Sequence, residues 1–254
     1  LQLSKGPKVV VIGGGTGLSV MLRGLKAKTY NLTAVVTVAD DGGSTGRIRQ
    51  DLDIIAPGDL RNCLVALADK EGLMEKLFAH RFGGSGNLTG HSFGNLFIAA
   101  LIEVLGDVEE AMDATSKVLR VRGKVIPSSA EKLRLNAEMT DGRIVEGESQ
   151  IPHAHGKIKR VFTTPEHPRA IQSAVDAIRE ADAIVLGPGS LYTSIMPNLC
   201  VPDIVQAVRT SKAPKIYICN VMTQPGETDD YTVSDHIRAI NRQDGGKVID
   251  FVIA

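Results

Sequence analysis

Short apolar runs alternate with amphipathic segments along this chain, a pattern that predicts an α/β protein. An apolar run at residues 8–12 meets a glycine cluster and then leucines and a methionine at spacings of three and four, which predicts a strand, a tight loop and a helix. Further apolar runs predict buried strands at residues 32–39, 183–186 and 215–219. Helical patterns cover residues 57–67, 73–82 and 170–181, and another helix runs from residues 91–95 to residue 105.

The loop after the first strand is rich in glycine and contains Gly13, Gly14, Gly15, Thr16 and Gly17. Glycine lets the backbone approach a ligand closely, and the free N–H groups of a helix start favour an anion. The loop departs from the dinucleotide fingerprint because Leu18 stands where its third glycine belongs, and no Gly-Lys-Ser/Thr of a P-loop follows. It predicts a phosphate-binding turn, with a purely structural turn as the alternative.

Two acids follow the second predicted strand, at its carboxyl end. Asp40 and Asp41 lead into Gly42, Gly43 and Ser44. In nucleotide sites of βαβ proteins an acid at this place binds a ribose hydroxyl or a metal. The alternative is an Asp-Gly turn with solvated carboxylates.

The later strands end in polar loops of the same kind. The third is followed by Gly187, Pro188, Gly189, Ser190, Tyr192, Thr193 and Ser194, and the fourth by Asn220. Backbone N–H groups and hydroxyls in such loops hold anions or sugars, unless the hydroxyls only stabilise their own loop. Ligands bind outside the carboxyl ends of open parallel sheets, so these strand ends predict one shared crevice.

Two helix starts carry further candidate residues. Asp59 is predicted to cap the helix at residues 57–67, which places Arg61 and Asn62 in its first turn. A basic side chain is disfavoured there by the helix dipole, so Arg61 serves either a ligand or carboxylate, or an ordinary surface ion pair. His91, at the start of another helix, is either a cap or a phosphate contact.

The middle of the chain differs from the rest because residues 133–139 and 144–151 alternate on either side of an Asp-Gly turn signal. This predicts an antiparallel hairpin inserted at about residues 124–162 into a single α/β domain of residues 1–254. His153 and His155 follow, next to several basic residues. No third metal ligand is nearby, so a solvated basic edge is favoured over a metal site.

Composition narrows the class of protein. Of 254 residues, 43% are hydrophobic and 23% charged, and 29 Lys and Arg balance 29 Asp and Glu, so no net charge favours nucleic acid as a partner. Three widely spaced cysteines in apolar contexts suit reduced thiols and a cytoplasmic protein. No apolar run approaches the ~18 residues of a membrane span. Because the sequence ends on an apolar run, we expect a further C-terminal segment.

Six segments resemble one protein family in their amino-acid sequence and in their order along the chain. They are residues 12–17 (IGGGTG), 39–44 (ADDGGS), 57–62 (PGDLRN), 90–95 (GHSFGN), 186–194 (LGPGSLYTS) and 219–224 (CNVMTQ). Together they resemble the bacterial gluconeogenesis factors (YvcK-like proteins, UPF0052), which are related to the CofD-like 2-phospho-L-lactate transferases of coenzyme F420 biosynthesis.

The resemblance implies a Rossmann-like, mostly parallel sheet with helices on both faces, and a nucleotide at residues 13–17 with Asp40, Asp41 and Asn95 beside it. It also implies a regulator that binds a UDP-sugar such as UDP-N-acetylglucosamine and acts on gluconeogenic carbon use and on the cell wall and cell shape. The alternative is a CofD-type transferase that uses Mg²⁺ and a nucleotide diphosphate donor. No residue identifies itself as a general base, which favours the regulator mildly.

Further expectations concern ligands and assembly. We expect no required cofactor, although a bound nucleotide, either a UDP-sugar or a dinucleotide, and Mg²⁺ stay open. A dinucleotide oxidoreductase ranks last among the functions. We also expect a homo-oligomer, and first of all a dimer.

Overall fold

The computed structural model describes residues 6–69 and 72–254, which build two sheets. The large sheet is parallel and has the strand order β3-β2-β1-β7-β8-β9. Its strands are β1 (Val9–Gly13), β2 (Leu32–Val36), β3 (Lys124–Pro127), β7 (Ala183–Leu186), β8 (Lys215–Ile218) and β9 (Phe251–Ile253). The small sheet is antiparallel, with β4 (Arg134–Met139) between β5 (Ile144–Glu146) and β6 (Ile158–Thr164).

Helices connect the strands of the large sheet. They are α1 (Gly15–Leu25), α2 (Gly43–Leu52), α3 (Gly58–Leu67), α4 (Leu73–Ala79), α5 (Phe93–Leu105), α6 (Val108–Leu119), α7 (Gln172–Arg179), α8 (Met196–Leu199), α9 (Pro202–Thr210) and α10 (Val233–Asp244). A 3₁₀ helix, Glu148–His153, follows β5, and a π-helical turn, Leu191–Ile195, precedes α8.

The central strand β1 shows that both faces of the large sheet are covered. Val10, Val11 and Ile12 are at most 2% exposed although successive strand residues point to opposite faces. Parallel strands buried on both faces are the mark of a doubly wound α/β fold. The predicted Rossmann-like architecture is therefore confirmed.

The register of the sheet places the functional loops at one edge. Gly13 pairs with Val36 on one side of β1, and Ile12 pairs with Leu186 on the other. Leu186 in turn pairs with Tyr217 of β8. The carboxyl ends of these four strands are level, so their following loops leave the sheet together. We call the space between those loops the carboxyl-edge crevice.

The inserted segment differs from its predicted form. Only Ile144–Glu146 of the predicted strand at residues 144–151 is extended, because Gly147 takes a φ of +95° and the chain then turns into the 3₁₀ helix. Strand β3, assigned from sequence to the insertion, pairs with β2 in the large sheet. The antiparallel strands thus occupy residues 134–164 rather than 124–162. These strands and the 3₁₀ helix are called the lobe below.

Other predicted elements are present with shifted ends. Strand β2 stops at Val36, so Asp40 does not follow it directly but lies four residues beyond. The predicted helix at residues 73–82 ends at Ala79, and that at 170–181 is shorter at both ends. Helices α2, α6, α8, α9 and α10 were not predicted.

Two further observations concern the state of the cysteines and the length of the helices. Cys63, Cys200 and Cys219 are free thiols, as the sequence led us to expect. Within residues 6–69 and 72–254, no helix is long and apolar enough to cross a membrane.

Candidate functional site

The glycine loop after β1 is held against the start of α3 by Asp59. The Gly15 N–H donates to Asp59 Oδ2 at 2.8 Å, and Gly15 itself has a φ of +68°. A Cβ on Gly14 would lie 2.6 Å from the same carboxylate oxygen, so a side chain at that position is excluded. The prediction that Asp59 caps α3 is wrong, because Pro57 occupies the cap position and the Asp59 carboxylate reaches across to α1 instead.

The loop after β7 lies directly on the glycine loop. A Cβ on Gly17 would come 3.0 Å from the Pro188 carbonyl oxygen, and one on Gly189 would come 3.1 Å from the Gly14 carbonyl oxygen. Asn198, which is fully buried, donates from Nδ2 to the carbonyl oxygens of Gly13 at 3.1 Å and Ser194 at 2.9 Å. Two loops that are distant in sequence therefore form one backbone-to-backbone contact.

Asn220, after β8, brackets the second glycine loop. Its Nδ2 donates to the Gly189 carbonyl at 3.0 Å, and its Oδ1 accepts the Gly189 N–H at 3.3 Å. Gln224 Nε2 donates to the Ser190 hydroxyl at 2.6 Å. The loops after β1, β7 and β8 thus meet as the sequence predicts.

Two of the residues predicted to bind a ligand, Tyr192 and Thr193, have side chains that do not face the crevice. Tyr192 is 2% exposed and its hydroxyl lies 2.7 Å from that of Tyr231, so burial raises its pKa well above the usual range. The Thr193 hydroxyl donates to Glu227 Oε1 at 3.1 Å. In this structure both side chains serve the packing of their loop.

Asp40, the first acid after β2, forms the turn that the sequence analysis gave as the alternative to a ligand site. Asp40 Oδ1 accepts the Gly42 N–H at 2.9 Å, which is the Asp-Gly turn, and Asp40 is half-buried rather than fully exposed to solvent. Its charge acts on Asp59, whose pKa is raised to about 6 by burial first and by Asp40 second. Asp40 Oδ2 lies 2.8 Å from the position that a Cβ would take on Gly58, next to Asp59, so Asp40 and Asp59 form a carboxylate pair beside the glycine loop.

The lobe forms a roof over the crevice, which the sequence analysis missed. Asp41 Oδ1 accepts the Ser149 N–H at 2.8 Å, so the start of the 3₁₀ helix is fixed to the loop after β2. At its other end, a Cβ on Gly226 would clash with the Pro152 carbonyl, so the helix also rests on the loop after β8. The 3₁₀ helix spans the crevice from one loop to the other.

Glu148 lies in this roof among other acids. Burial, followed by the charges of Asp40, Asp41 and Asp59, raises its pKa to about 8, with Glu227 contributing least. The sequence analysis missed Glu148 because it predicted a strand over residues 144–151 and placed no side chain of that segment in the crevice. Glu148 joins the candidate site as an added member.

A polar cluster occupies the space between α2 and α5. Asn95 Nδ2 lies 3.4 Å from the Ser44 hydroxyl and 3.5 Å from the Thr45 hydroxyl, and Ser44 Oγ lies 3.2 Å from His91 Nδ1. Asn95 is 2% exposed, and its Oδ1 has no hydrogen-bond partner among the described residues. His91 and Asn95 thus lie together at the amino end of α2. The predicted site segments at residues 39–44 and 90–95 therefore meet in the structure.

The two histidines of the insertion are not on a strand as the metal hypothesis assumed. His153 ends the 3₁₀ helix and His155 follows with a φ of +45°. The neighbouring Lys159 and Arg160 pair with Glu138 at 2.6 Å each. Across the part of the chain that the structure describes, no group of three or more His, Cys, Asp or Glu side chains is arranged to hold a metal.

The fold and this edge define an α/β protein of the Rossmann-like class with a roofed crevice at the carboxyl ends of its strands. The family model described as 2-phospho-L-lactate transferase CofD matches residues 9–254. A gluconeogenesis factor of Bacillus subtilis is 56% identical over 247 residues, or 97% of this chain and 78% of that protein. A putative gluconeogenesis factor of Nostoc is 60% identical over 94% of this chain, which spans about half (53%) of that protein's length.

A solved structure agrees with these relatives. The crystal structure of a UPF0052 family member from Bacillus halodurans is 56% identical, with a TM-score of 0.95 over 97% of this chain and 80% of that one. The chain belongs to the CofD family, and within it to the group of gluconeogenesis factors.

Proposed function

We propose that this chain binds a nucleotide sugar of the UDP-N-acetylglucosamine class in the carboxyl-edge crevice and acts as a regulator of gluconeogenic carbon use and cell-wall synthesis. The observation that carries the proposal is the convergence of the loops after β1, β2, β7 and β8 under one roof. Glycine backbones, amides and hydroxyls on several loops are what a nucleotide with a diphosphate requires. We expect this protein to act in the cytoplasm as a homodimer.

The carboxylate pair favours a second candidate, a CofD-type phosphoryl transferase. Mg²⁺ is bound in many phosphate-handling sites by one or two carboxylates together with substrate phosphates. Asp40 and Asp59 fit that donor set, and a diphosphate would complete it. When bound, the metal supplies neutralisation of charge on the leaving group.

The two candidates are separated by titration and by an assay for turnover. A ligand that binds only the folded state raises the melting temperature as its concentration increases. The regulator predicts a saturable rise with UDP-N-acetylglucosamine. Absence of that rise at millimolar ligand, together with metal-dependent nucleotide release from a phospholactyl donor and the deazaflavin alcohol, would establish the transferase instead.

A further inference from the structure

Arg61 is a buried guanidinium with no carboxylate in direct contact, and the charges of Asp59 and Asp40 act on it from farther away. It is 9% exposed, and its Nη2 donates to the side-chain Oδ1 of Asn62 at 2.6 Å. Within residues 6–69 and 72–254, no carboxylate oxygen lies within 4.0 Å of its nitrogens. An arginine offers five N–H donors, and burying its charge without an anion costs several kcal/mol of stability.

The surroundings of Arg61 explain why it stays in this place. Its Cδ lies 2.8 Å from the position a Cβ would take on Gly94, so this glycine admits the side chain between α3 and α5. The next residue, Asn95, carries the buried Oδ1 without a partner and contacts Ser44 and Thr45. The unsatisfied Asn95 Oδ1 thus lies beside the amino end of α2. Helix α3, which carries Arg61, begins at the same place, because a Cβ on Gly58 would clash with the Thr45 hydroxyl.

The glycine loop is a poorer place for an anion than the sequence led us to expect. The Gly15 N–H already donates to the Asp59 carboxylate, so this amide is not free to bind an anion. The amino end of α2, by contrast, combines helix N–H groups with the Ser44 and Thr45 hydroxyls.

We infer that the anionic group of the ligand, a phosphate or diphosphate, binds Arg61 beside Asn95 and the amino end of α2, rather than the Gly15 amide. Asn95 Oδ1 then accepts a hydrogen bond from the guanidinium or from a ligand hydroxyl. The inference rests on the proposed function for the identity of the ligand, but not for the presence of an anion site.

The test compares Arg61→Gln and Arg61→Met with Arg47→Gln. Arg47 is a suitable control because it lies on α2 and is exposed, and its Nη2 donates to the Thr89 carbonyl at 2.8 Å. Binding of UDP-N-acetylglucosamine, UDP, uridine and inorganic pyrophosphate is measured by calorimetry. Loss of a charged hydrogen bond predicts an affinity for UDP and pyrophosphate that is at least about tenfold weaker in both Arg61 variants. The affinity for uridine and the binding by the control stay unchanged.

A second readout separates binding from a structural role. Arg61→Met removes a buried charge that has no carboxylate in direct contact and keeps about the same side-chain volume, so the melting temperature without ligand should be equal or higher, while the shift caused by pyrophosphate disappears. A lower melting temperature with unchanged affinity for UDP would overturn the inference.

The outcomes also distinguish this inference from the proposed function. Pyrophosphate binding that depends on Arg61, without affinity for uridine nucleotides, would keep the anion site and refute the nucleotide sugar. Binding of UDP-N-acetylglucosamine at wild-type affinity by both Arg61 variants would refute the anion site at Arg61 and keep the nucleotide sugar as the ligand. A wild-type protein that binds neither pyrophosphate nor UDP would overturn both.

Discussion

Glu148 gives the sharpest prediction about stability, because its carboxyl group is partly buried near several other acids in the roof. Its pKa is raised from 4.5 to about 8 in the folded protein. Between these values the folded state binds a proton that the unfolded state has lost, so stability falls as the pH rises through this window. Below pH 4.5 both states are protonated and the cost disappears, and above pH 8 it is fully present.

The magnitude follows from the size of that rise. One pH unit corresponds to about 1.4 kcal/mol, which sets an upper limit of about 5 kcal/mol for the loss caused by ionising Glu148. Relaxation of the roof and screening by water reduce this, so we expect Glu148→Gln to stabilise the protein by about 2–3 kcal/mol at pH 8.5 and by little at pH 5.

Urea unfolding at pH 5, 7 and 8.5 measures this difference directly. Glu146→Gln is the matched control, because Glu146 lies on the same hairpin with its side chain 63% exposed and paired with Arg134 at 3.1 Å. The control should leave the pH profile unchanged. If Glu148→Gln and the wild type lose stability in parallel between pH 5 and 8.5, the Glu148 carboxyl is not buried in the crevice.

Two further predictions test the contacts that build the site. Gly226→Ala should lower the free energy of unfolding by about 1–3 kcal/mol and speed hydrogen exchange in the 3₁₀ helix, because the added Cβ would clash with the Pro152 carbonyl. Gly142→Ala is the control for backbone strain alone, since Gly142 has a similar φ of +88° and open space around it. Equal hydrogen exchange in the two variants would refute the roof contact. Gly14→Ala should destabilise the protein by about 1–3 kcal/mol, because the added Cβ would clash with the Asp59 carboxylate. Gly24→Ala should stabilise the protein by about 0.5–1 kcal/mol, because Gly24 lies within α1 with open space around it. Urea unfolding that gives the two variants equal stability would contradict the packing described.

The strands and helices of the large sheet were predictable because their signals are local. Residues 9–12, directly before Gly13, are all Val or Ile, as a buried parallel strand requires. The convergence of Gly13, Asn220 and the loop after β7 followed from the rule for open parallel sheets and needed no knowledge of tertiary contacts.

The roof was not predictable because its contacts join residues that are far apart in sequence. Asp41 and Ser149 are 108 positions apart, and the alternation at residues 144–151 continues past the point where Gly147 turns the chain. Asp59 failed as a cap for the same reason. Its local sequence fits an N-cap, but the bond to Gly15, 44 positions away, decides its orientation.

Helix α2 also escaped prediction. Its first residues are glycine, serine and threonine, and its composition is polar, so local propensity gives no helix signal. It forms because Ile48 packs with Ile54 and Ala99 of α5 in a small separate cluster. The amino end that places Ser44 beside Asn95 is therefore a product of tertiary packing.

A crystal structure of this chain with UDP-N-acetylglucosamine and Mg²⁺ tests the central claim most directly. The account predicts ligand density in the carboxyl-edge crevice beneath the 3₁₀ helix, with the diphosphate against Arg61. A separate cavity of about 590 Å³ lies at the opposite edge, lined by Lys8, Tyr30 and Lys124 among others. Density for the nucleotide in that cavity, with the carboxyl-edge crevice unchanged, would contradict the account.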